Sequence, residues 1–196
     1  MEVGAWREAI EEFLRSSKTV VQLAGQRTFL RGALGEVLAL RQLTMTYGEN
    51  LRRGANRIDY YGGQRKGFDI LLKLDGRDVK LDCKEKTGEN WARNYARNYL
   101  EISWDGEKRQ HIHGILRPEA GLFYVLVDSA EFLETGNVGF FVLSDAEMKQ
   151  TVKRIYSHMN GRRRPRNPKS THFAFGVDEV ADYRDNQLTR WKLQTS

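Results

Sequence analysis

The stretch FDILLKLDGRDVKLDCKEK, residues 68–86, decides the fold because it holds two runs of strand-forming residues on either side of Asp75-Gly76. An Asp-Gly pair between such runs is a strong signal for a β-hairpin. Alternate residues of a strand face opposite sides of the sheet. The first strand is expected to bury one face, made of Phe68, Ile70, Leu72 and Leu74. Asp69 then faces the other way.

The second strand of this hairpin has an apolar face and a charged face. Its apolar face carries Val79, Leu81 and Cys83. Asp82 and Lys84 share the opposite face. If the strands pair about the Asp-Gly turn, Asp69 lies opposite Asp82 because both residues are equally far from the turn. Two carboxylates and an ammonium group are therefore predicted to meet at one surface of the sheet.

Helices and further strands are predicted around the hairpin. Apolar periodicity favours helices over residues 2–14, 28–46, 91–100 and 145–159. Ser144 and Glu147 have the spacing of a capping box at the start of the last helix. Further strands are predicted over 56–61, 122–127, 138–143 and 172–177. This order predicts an α/β fold, a mixed β-sheet core flanked by helices.

Length and composition favour one domain. At 196 residues, of which 40% are hydrophobic, the chain can bury one substantial core. We expect an N-terminal packing helix within 1–27, a core over 28–160, a basic loop over 161–170 and a C-terminal extension over 171–196. Every segment is therefore assigned to a single domain.

Composition also excludes several classes of protein. Cys83 is the one cysteine, so an internal disulfide and a zinc site of clustered cysteines are excluded. No apolar run reaches the roughly 20 residues that span a bilayer, and the N-terminus lacks the pattern of a signal or anchor. These features favour a cytoplasmic, reducing compartment and no membrane partner. Lys and Arg total 32 against 26 Asp and Glu, a net charge of +6 that favours a polyanionic partner.

Glu36 is an acidic residue inside an apolar helical stripe. It stands at helical spacing from Ala33 and Leu40, and Gly35 beside it leaves room for another element to approach. A charged group in such a place needs a partner. Either Glu36 belongs to a functional site, or it forms a structural ion pair with an arginine.

Together, these residues resemble the PD-(D/E)XK nuclease superfamily over about 28–143. Gly35-Glu36 resembles the acid of the family's first helix, and Gly67-Phe68-Asp69 resembles the strand with the first metal-binding aspartate. Asp82-Cys83-Lys84 is similar to the acid-x-lysine motif. Phe68 stands where the name-giving proline would be, and Leu122–Asp128 has the place of the next core strand. The resemblance implies a restriction-endonuclease-like fold in a single nuclease domain.

The resemblance also implies a reaction. Asp69 and Asp82 would hold Mg²⁺, for which Mn²⁺ can substitute, with the Cys83 backbone carbonyl as a further ligand. Glu36 would reach the metal directly or through water, and Lys84 would orient the attacking water or neutralise charge. The chain would then be a DNA endonuclease of the restriction or structure-specific repair or recombination type. Its partner would be double-stranded or branched DNA, and a homodimer would cut two strands.

Other functions remain open from the sequence. Asp82 and Lys84 also fit ordinary solvent-facing positions of an edge strand. Two alternatives are a non-catalytic nucleic-acid-binding protein with a nuclease-like fold and an RNA-cleaving member of the superfamily. Cleavage experiments separate these alternatives.

Several basic residues are candidates for contact with nucleic acid. Lys86 follows the motif on the same face of the strand, where a solvated strand end is the alternative. Arg93 and Arg97 form a stripe on the helix predicted over 91–100, whose aromatic residues would pack on the sheet or contact DNA. The basic loop holds five more candidates for phosphate contact: Arg162, Arg163, Arg164, Arg166 and Lys169. The alternatives for this segment are a solvated loop and a localisation signal. His111 and His113 are interpreted as structural or surface residues.

Overall fold

A computed structural model describes residues 28–52, 55–62, 67–87, 89–105, 110–162 and 171–191. The helix predicted over 2–14 lies outside these ranges, as does most of the basic loop. The α-helices of the described part are α1 (Thr28–Tyr47), α2 (Phe132–Thr135) and α3 (Asp145–Arg162). Its strands are β1 (Arg57–Tyr60), β2 (Ile70–Leu74), β3 (Arg77–Thr87), β4 (Asn90–Tyr95), β5 (Leu100–Trp104), β6 (Gln110–Ile115), β7 (Leu122–Asp128), β8 (Gly139–Ser144) and β9 (His172–Phe175).

Strand β3 is the centre of a seven-stranded mixed sheet. Its first half pairs antiparallel with β2, and its middle pairs in parallel with β7. Strand β1 extends the sheet beyond β2, and β8 extends it beyond β7. The end of β3 pairs with β4, which in turn pairs with β9. The predicted α/β class, a mixed sheet flanked by helices, is confirmed.

The hairpin register is confirmed from the turn as far as Ile70, which lies opposite Leu81. The Asp69 N–H donates to that same Leu81 carbonyl at 2.8 Å, and not to Asp82 as the regular ladder would require, so the regular register ends there. Asp75 and Gly76 have φ of 51° and 77°, and positive values at both central positions are those of the type I′ turn that suits a two-residue hairpin. The turn therefore sets which residues meet across the two strands.

Apolar residues cover both faces of the sheet. The first core lies under α1 and contains the alternating residues Ile70, Leu72, Leu81 and Cys83. The second core lies under α3 and contains Leu71, Tyr124, Leu126 and Met148. Trp191 packs into the first core.

Phe68 departs from the predicted alternation. It lies in the second core, whereas Ile70 lies in the first. Phe68 precedes the start of β2, and its ring centroid is 5.7 Å from that of Tyr61. The alternation of a pleated strand therefore begins only at Ile70.

The prediction of a helix over 91–100 is wrong. This segment forms β4, a short 3₁₀ turn over Ala96–Asn98 and the start of β5. Pairing with β3 and β9 satisfies its backbone, and the Trp91 ring is fully buried between Phe141 and Phe175. Tertiary pairing thus overrides the four-residue spacing of the aromatic residues.

The last helix begins where predicted. The Ser144 N–H donates to the Glu147 carboxylate at 2.8 Å, and the Glu147 N–H donates to Ser144 Oγ at 3.3 Å. This reciprocal pair is a capping box. Among the helices of the described residues, none combines the length and apolar character needed to cross a membrane.

Candidate active site

Three elements bring the four predicted residues together. Glu36 lies on α1, Asp69 lies immediately before β2, and Asp82 and Lys84 lie on β3. Helix α1 comes very close to β3 beside Glu36, since a Cβ at Gly35 would stand 2.9 Å from Glu85 Cβ. Glycine at this position therefore permits the contact that brings Glu36 to the sheet.

Asp69 is held in place by the backbone of β3. Its Oδ2 accepts the Cys83 N–H at 2.8 Å, and its own N–H donates to the Leu81 carbonyl at 2.8 Å. The residue is only 9% exposed. These bonds fix the carboxylate close enough to Asp82 to raise the pKa of that residue.

Asp82 and Lys84 form a close ion pair. Lys84 Nζ lies 2.5 Å from Asp82 Oδ1, and the side chains are 38% and 16% exposed respectively. Burial raises the pKa of Asp82 to about 6, with a further contribution from Asp69, although Lys84 opposes the change. Burial disfavours the Lys84 charge, but Asp82 and Asp69 together raise the pKa of the lysine. Lys84 is therefore cationic at neutral pH.

Glu36 has a hydroxyl partner. Tyr60 Oη donates to Glu36 Oε2 at 2.7 Å, and Tyr60 is placed by its pairing with Ile70 across β1 and β2. Burial raises the pKa of Glu36, and the negative charge of Asp69 raises it further. The hydrogen bond from Tyr60 and the positive charge of Lys84 both lower it, without cancelling the increase. Glu36 is thus electrostatically coupled to Asp69 and Lys84. Among the described residues, no arginine forms an ion pair with it.

The site presents oxygen ligands and not sulfur. The Cys83 side chain is 6% exposed in the first core, and burial raises the pKa of its thiol, so the thiol stays protonated. In the part of the chain that the structure describes, no three His, Cys, Asp or Glu side chains are grouped to hold a metal ion. Asp69 and Asp82 remain a suitable pair for Mg²⁺, which commonly takes one or two protein carboxylates and fills its shell with water and phosphate oxygens.

The structure places Lys86 in a buried ion pair. Its Nζ lies 2.5 Å from Asp128 Oδ2 and 5.9 Å from the centre of the Trp91 ring, and its side chain is 11% exposed. Contact with a phosphate would require this amine to leave Asp128. The end of β3 is therefore closed by an ion pair and is not a solvated basic end.

The other basic candidates are placed only in part. Arg97 is exposed on the 3₁₀ turn, with its guanidinium carbon 4.9 Å from the centre of the Tyr95 ring. Arg93 belongs to β4 and Arg162 ends α3, but the side chains of both lie outside what the structure describes. The remaining basic-loop residues lie wholly outside the described ranges: Arg163, Arg164, Arg166 and Lys169.

The two histidines lie on an exposed hairpin formed by β5 and β6. His111 Nε2 lies 3.0 Å from Asp105 Oδ2, and His113 Nε2 lies 2.6 Å from Ser103 Oγ. These polar partners agree with the interpretation of both histidines as surface residues.

Sequence reasoning missed two tyrosines near the acidic residues. Tyr60 is the partner of Glu36, and its position at the end of a predicted strand was the available signal. Tyr99 is 5% exposed; burial and the Asp82 charge raise its pKa. No sequence signal identified Tyr99, because its contact with the site depends on the turn that replaces the predicted helix.

No protein-family model matches the chain, and the search of curated proteins returns no match. Among solved structures, the chain is similar to a bacterial homing endonuclease, I-Ssp6803I, at 17% identity. The match covers 86% of this chain and 93% of that chain, with a TM-score of 0.39. A likeness this distant carries no argument about chemistry.

Proposed function

We propose that this chain is a metal-dependent endonuclease of the PD-(D/E)XK superfamily that hydrolyses phosphodiester bonds in DNA. The observation that carries the proposal is the position of three side chains at β3: the Asp69 carboxylate accepts the Cys83 N–H, and Lys84 contacts Asp82 on either side of Cys83. Glu36 from α1 adds a third carboxylate that is coupled to this group. An acid pair with a cation at one surface has the chemistry needed to act on a phosphate.

The metal ligands in this proposal are Asp69 and Asp82, with the Cys83 backbone carbonyl and with Glu36 directly or through water. The donors are all oxygen atoms, which suits Mg²⁺ or Mn²⁺. The raised pKa of Asp82 supports this assignment, because crowded buried negative charge favours a cation. When bound, the metal stabilises negative charge on the phosphate and makes water a stronger nucleophile.

Lys84 has the role of positioning and charge neutralisation. Its ammonium group is cationic and holds Asp82 in the metal-free protein. Because it is partly exposed, it can turn from Asp82 toward a substrate phosphate and donate to the attacking water or to a phosphate oxygen. Glu36, held by Tyr60, would accept a hydrogen bond from water on the side of the site under α1.

DNA contact in this proposal rests on cationic residues around the site. Arg97 is exposed and able to meet a phosphate, and Lys86 would do so only on leaving Asp128. Arg93 and the basic residues of 162–169 are proposed as further phosphate contacts. The net charge of +6 supports a polyanionic substrate. A homodimer acting on double-stranded or branched DNA would place one site on each strand.

The test is cleavage of linear, supercoiled and branched DNA and of single-stranded RNA, with Mg²⁺, Mn²⁺ or EDTA. Lys84→Ala is expected to slow metal-dependent cleavage by about 100-fold or more, as loss of a transition-state donor does. Lys73→Ala is the matched control. Lys73 is a 33%-exposed lysine in the same hairpin, paired with Asp78 at 3.5 Å. Its replacement is expected to change the rate by less than about 2-fold.

Each contrary result identifies a different alternative. Equal activity of Lys84→Ala and the wild type would refute the assigned site. Binding without cleavage on every substrate would favour the non-catalytic nucleic-acid-binding protein. Cleavage confined to RNA would favour the RNA-cleaving alternative.

A further inference from the structure

An exposed group of planar side chains lies where β4 ends. Tyr95 pairs with His172 across β4 and β9, and their ring centroids are 4.2 Å apart. The Arg97 guanidinium carbon lies 4.9 Å from the centre of the Tyr95 ring. Tyr95 is 40% exposed to solvent, and Arg97 and His172 are exposed as well. We call this group of Tyr95, Arg97 and His172 the aromatic–arginine stack.

The stack lies on the turn that reaches the candidate active site. Residues Ala96–Asn98 form this turn, which is fixed by the Ala96 N–H donating to the Thr171 carbonyl at 2.7 Å. Tyr99, directly after the turn, is buried with its ring centroid 6.0 Å from that of Tyr124, which lies opposite Asp82 across β3 and β7. The inner side of the segment thus packs next to the neighbour of Asp82, while its outer side carries the stack.

Arg97 keeps an uncompensated charge among the described residues. Arg190 offers a direct comparison, because its guanidinium carbon lies 4.8 Å from the centre of the Tyr183 ring. Arg190 is also paired with the Glu147 carboxylate at 2.8 Å. In the described part of the chain, no carboxylate forms such a pair with Arg97. The Arg190 stack is therefore neutralised within the fold, whereas the charge of Arg97 faces solvent.

We propose that the aromatic–arginine stack binds an unpaired nucleotide of the substrate, with the base against the stack and a phosphate on Arg97. Bases stack on aromatic and guanidinium planes without sequence preference, whereas bases inside a duplex have both faces covered. This inference rests on the proposed nuclease function and narrows its substrate to DNA with a single-stranded part beside the cleavage position. Forked, flapped or tailed duplexes have this form, and a blunt duplex does not.

The test measures binding by fluorescence anisotropy with three labelled probes: single-stranded oligothymidine, a blunt duplex, and that duplex with an oligothymidine tail. Binding is measured in Ca²⁺ and in EDTA, and the label is checked for cleavage afterwards. Tyr95→Leu is expected to weaken binding of the single strand and tailed duplex by about 10-fold, the loss of one stacked base. Binding of the blunt duplex is expected to change by less than about 2-fold. Tyr95→Phe, which keeps the ring, is expected to bind all three probes with wild-type affinity.

Tyr183→Leu is the matched control, because it removes a second arginine-stacked tyrosine of the described residues. It is expected to leave all three affinities unchanged. Thermal denaturation of each variant measures the structural effect of the tyrosine separately from binding. A purely structural Tyr95 would lower the melting temperature without a difference between the three probes.

Several outcomes would overturn the proposal. Equal weakening of all three probes by Tyr95→Leu would do so, as would no weakening at all. A wild-type protein that binds the tailed duplex no better than the blunt one would also overturn it. Any of these results together with Lys84-dependent cleavage would leave the nuclease proposal intact. Conversely, Tyr95-dependent binding without cleavage would support the stack and contradict the nuclease.

Discussion

Replacing Asp82 by asparagine is expected to remove a loss of stability that the metal-free wild type undergoes as the pH rises toward neutral. Burial, together with Asp69, raises the pKa of Asp82 from 3.8 to about 6 despite the contact with Lys84. Between these values the folded protein holds a proton that the unfolded chain has released, so the free energy of unfolding falls as the pH rises. Well above pH 6 the free energy of unfolding has fallen by about 3 kcal/mol in total, because a tenfold change in proton affinity corresponds to about 1.4 kcal/mol.

Asparagine retains the shape of the side chain and cannot ionise. The assay is urea unfolding of wild type and Asp82→Asn in EDTA, in buffers from about pH 4 to about pH 7.5. The variant's free energy of unfolding, minus that of the wild type, is expected to grow by about 2.5 kcal/mol across this range, because a small part of the change lies below about pH 4. Asp78→Asn is the control and is expected to show no such growth, because the Asp78 side chain is 55% exposed. A difference that is flat or falls with pH would refute the reasoning and show that Lys84 fully compensates the buried carboxylate.

Two further predictions concern Glu36 and the helix that carries it. Gly35→Ala is expected to cost about 1–3 kcal/mol in denaturant unfolding and to slow cleavage, because the new methyl group would stand 2.9 Å from Glu85 Cβ. The control is Gly114→Ala, because a Cβ at that position would have only a carboxylate oxygen nearby, at 3.7 Å. Equal stability of the two variants would contradict the close packing of α1 on β3 at Gly35. Tyr60→Phe removes a hydrogen bond that lowers the pKa of Glu36, so the acidic limb of the pH–rate profile is expected to move to higher pH. An unchanged profile would show that Glu36 does not titrate in the reaction.

The central hairpin was predictable because its determinants are local. Asp75-Gly76 supplies the two positive φ angles of the turn, and alternation assigns the faces of β3. Distance from that turn predicts that Asp69 returns to the region of Asp82, but the regular register ends at Ile70, and the Cys83 N–H holds the Asp69 carboxylate in place. Tyr60 as the partner of Glu36 was not predictable, because it depends on how α1 docks on β1 and β2.

The segment from Trp91 to Tyr99 shows why other parts failed. Aromatic residues every four positions suit a helix, but Trp and Tyr also favour strands. The outcome depends on β9, whose partner residues lie far along the chain and pair with β4. The aromatic–arginine stack could not be predicted for the same reason, since Tyr95 and His172 come together only through that pairing.

The two pairings of β3 also imply an order of assembly. Strand β2 joins β3 across a two-residue turn, whereas parallel strand β7 follows after residues 88–121. Hairpins close in about 1–10 μs, and distant parallel pairing is intrinsically slower. We therefore expect Asp69 and Asp82 to approach one another earlier in folding than Glu36, whose position requires α1 to dock on the sheet. The complete group of four is then a late product of folding.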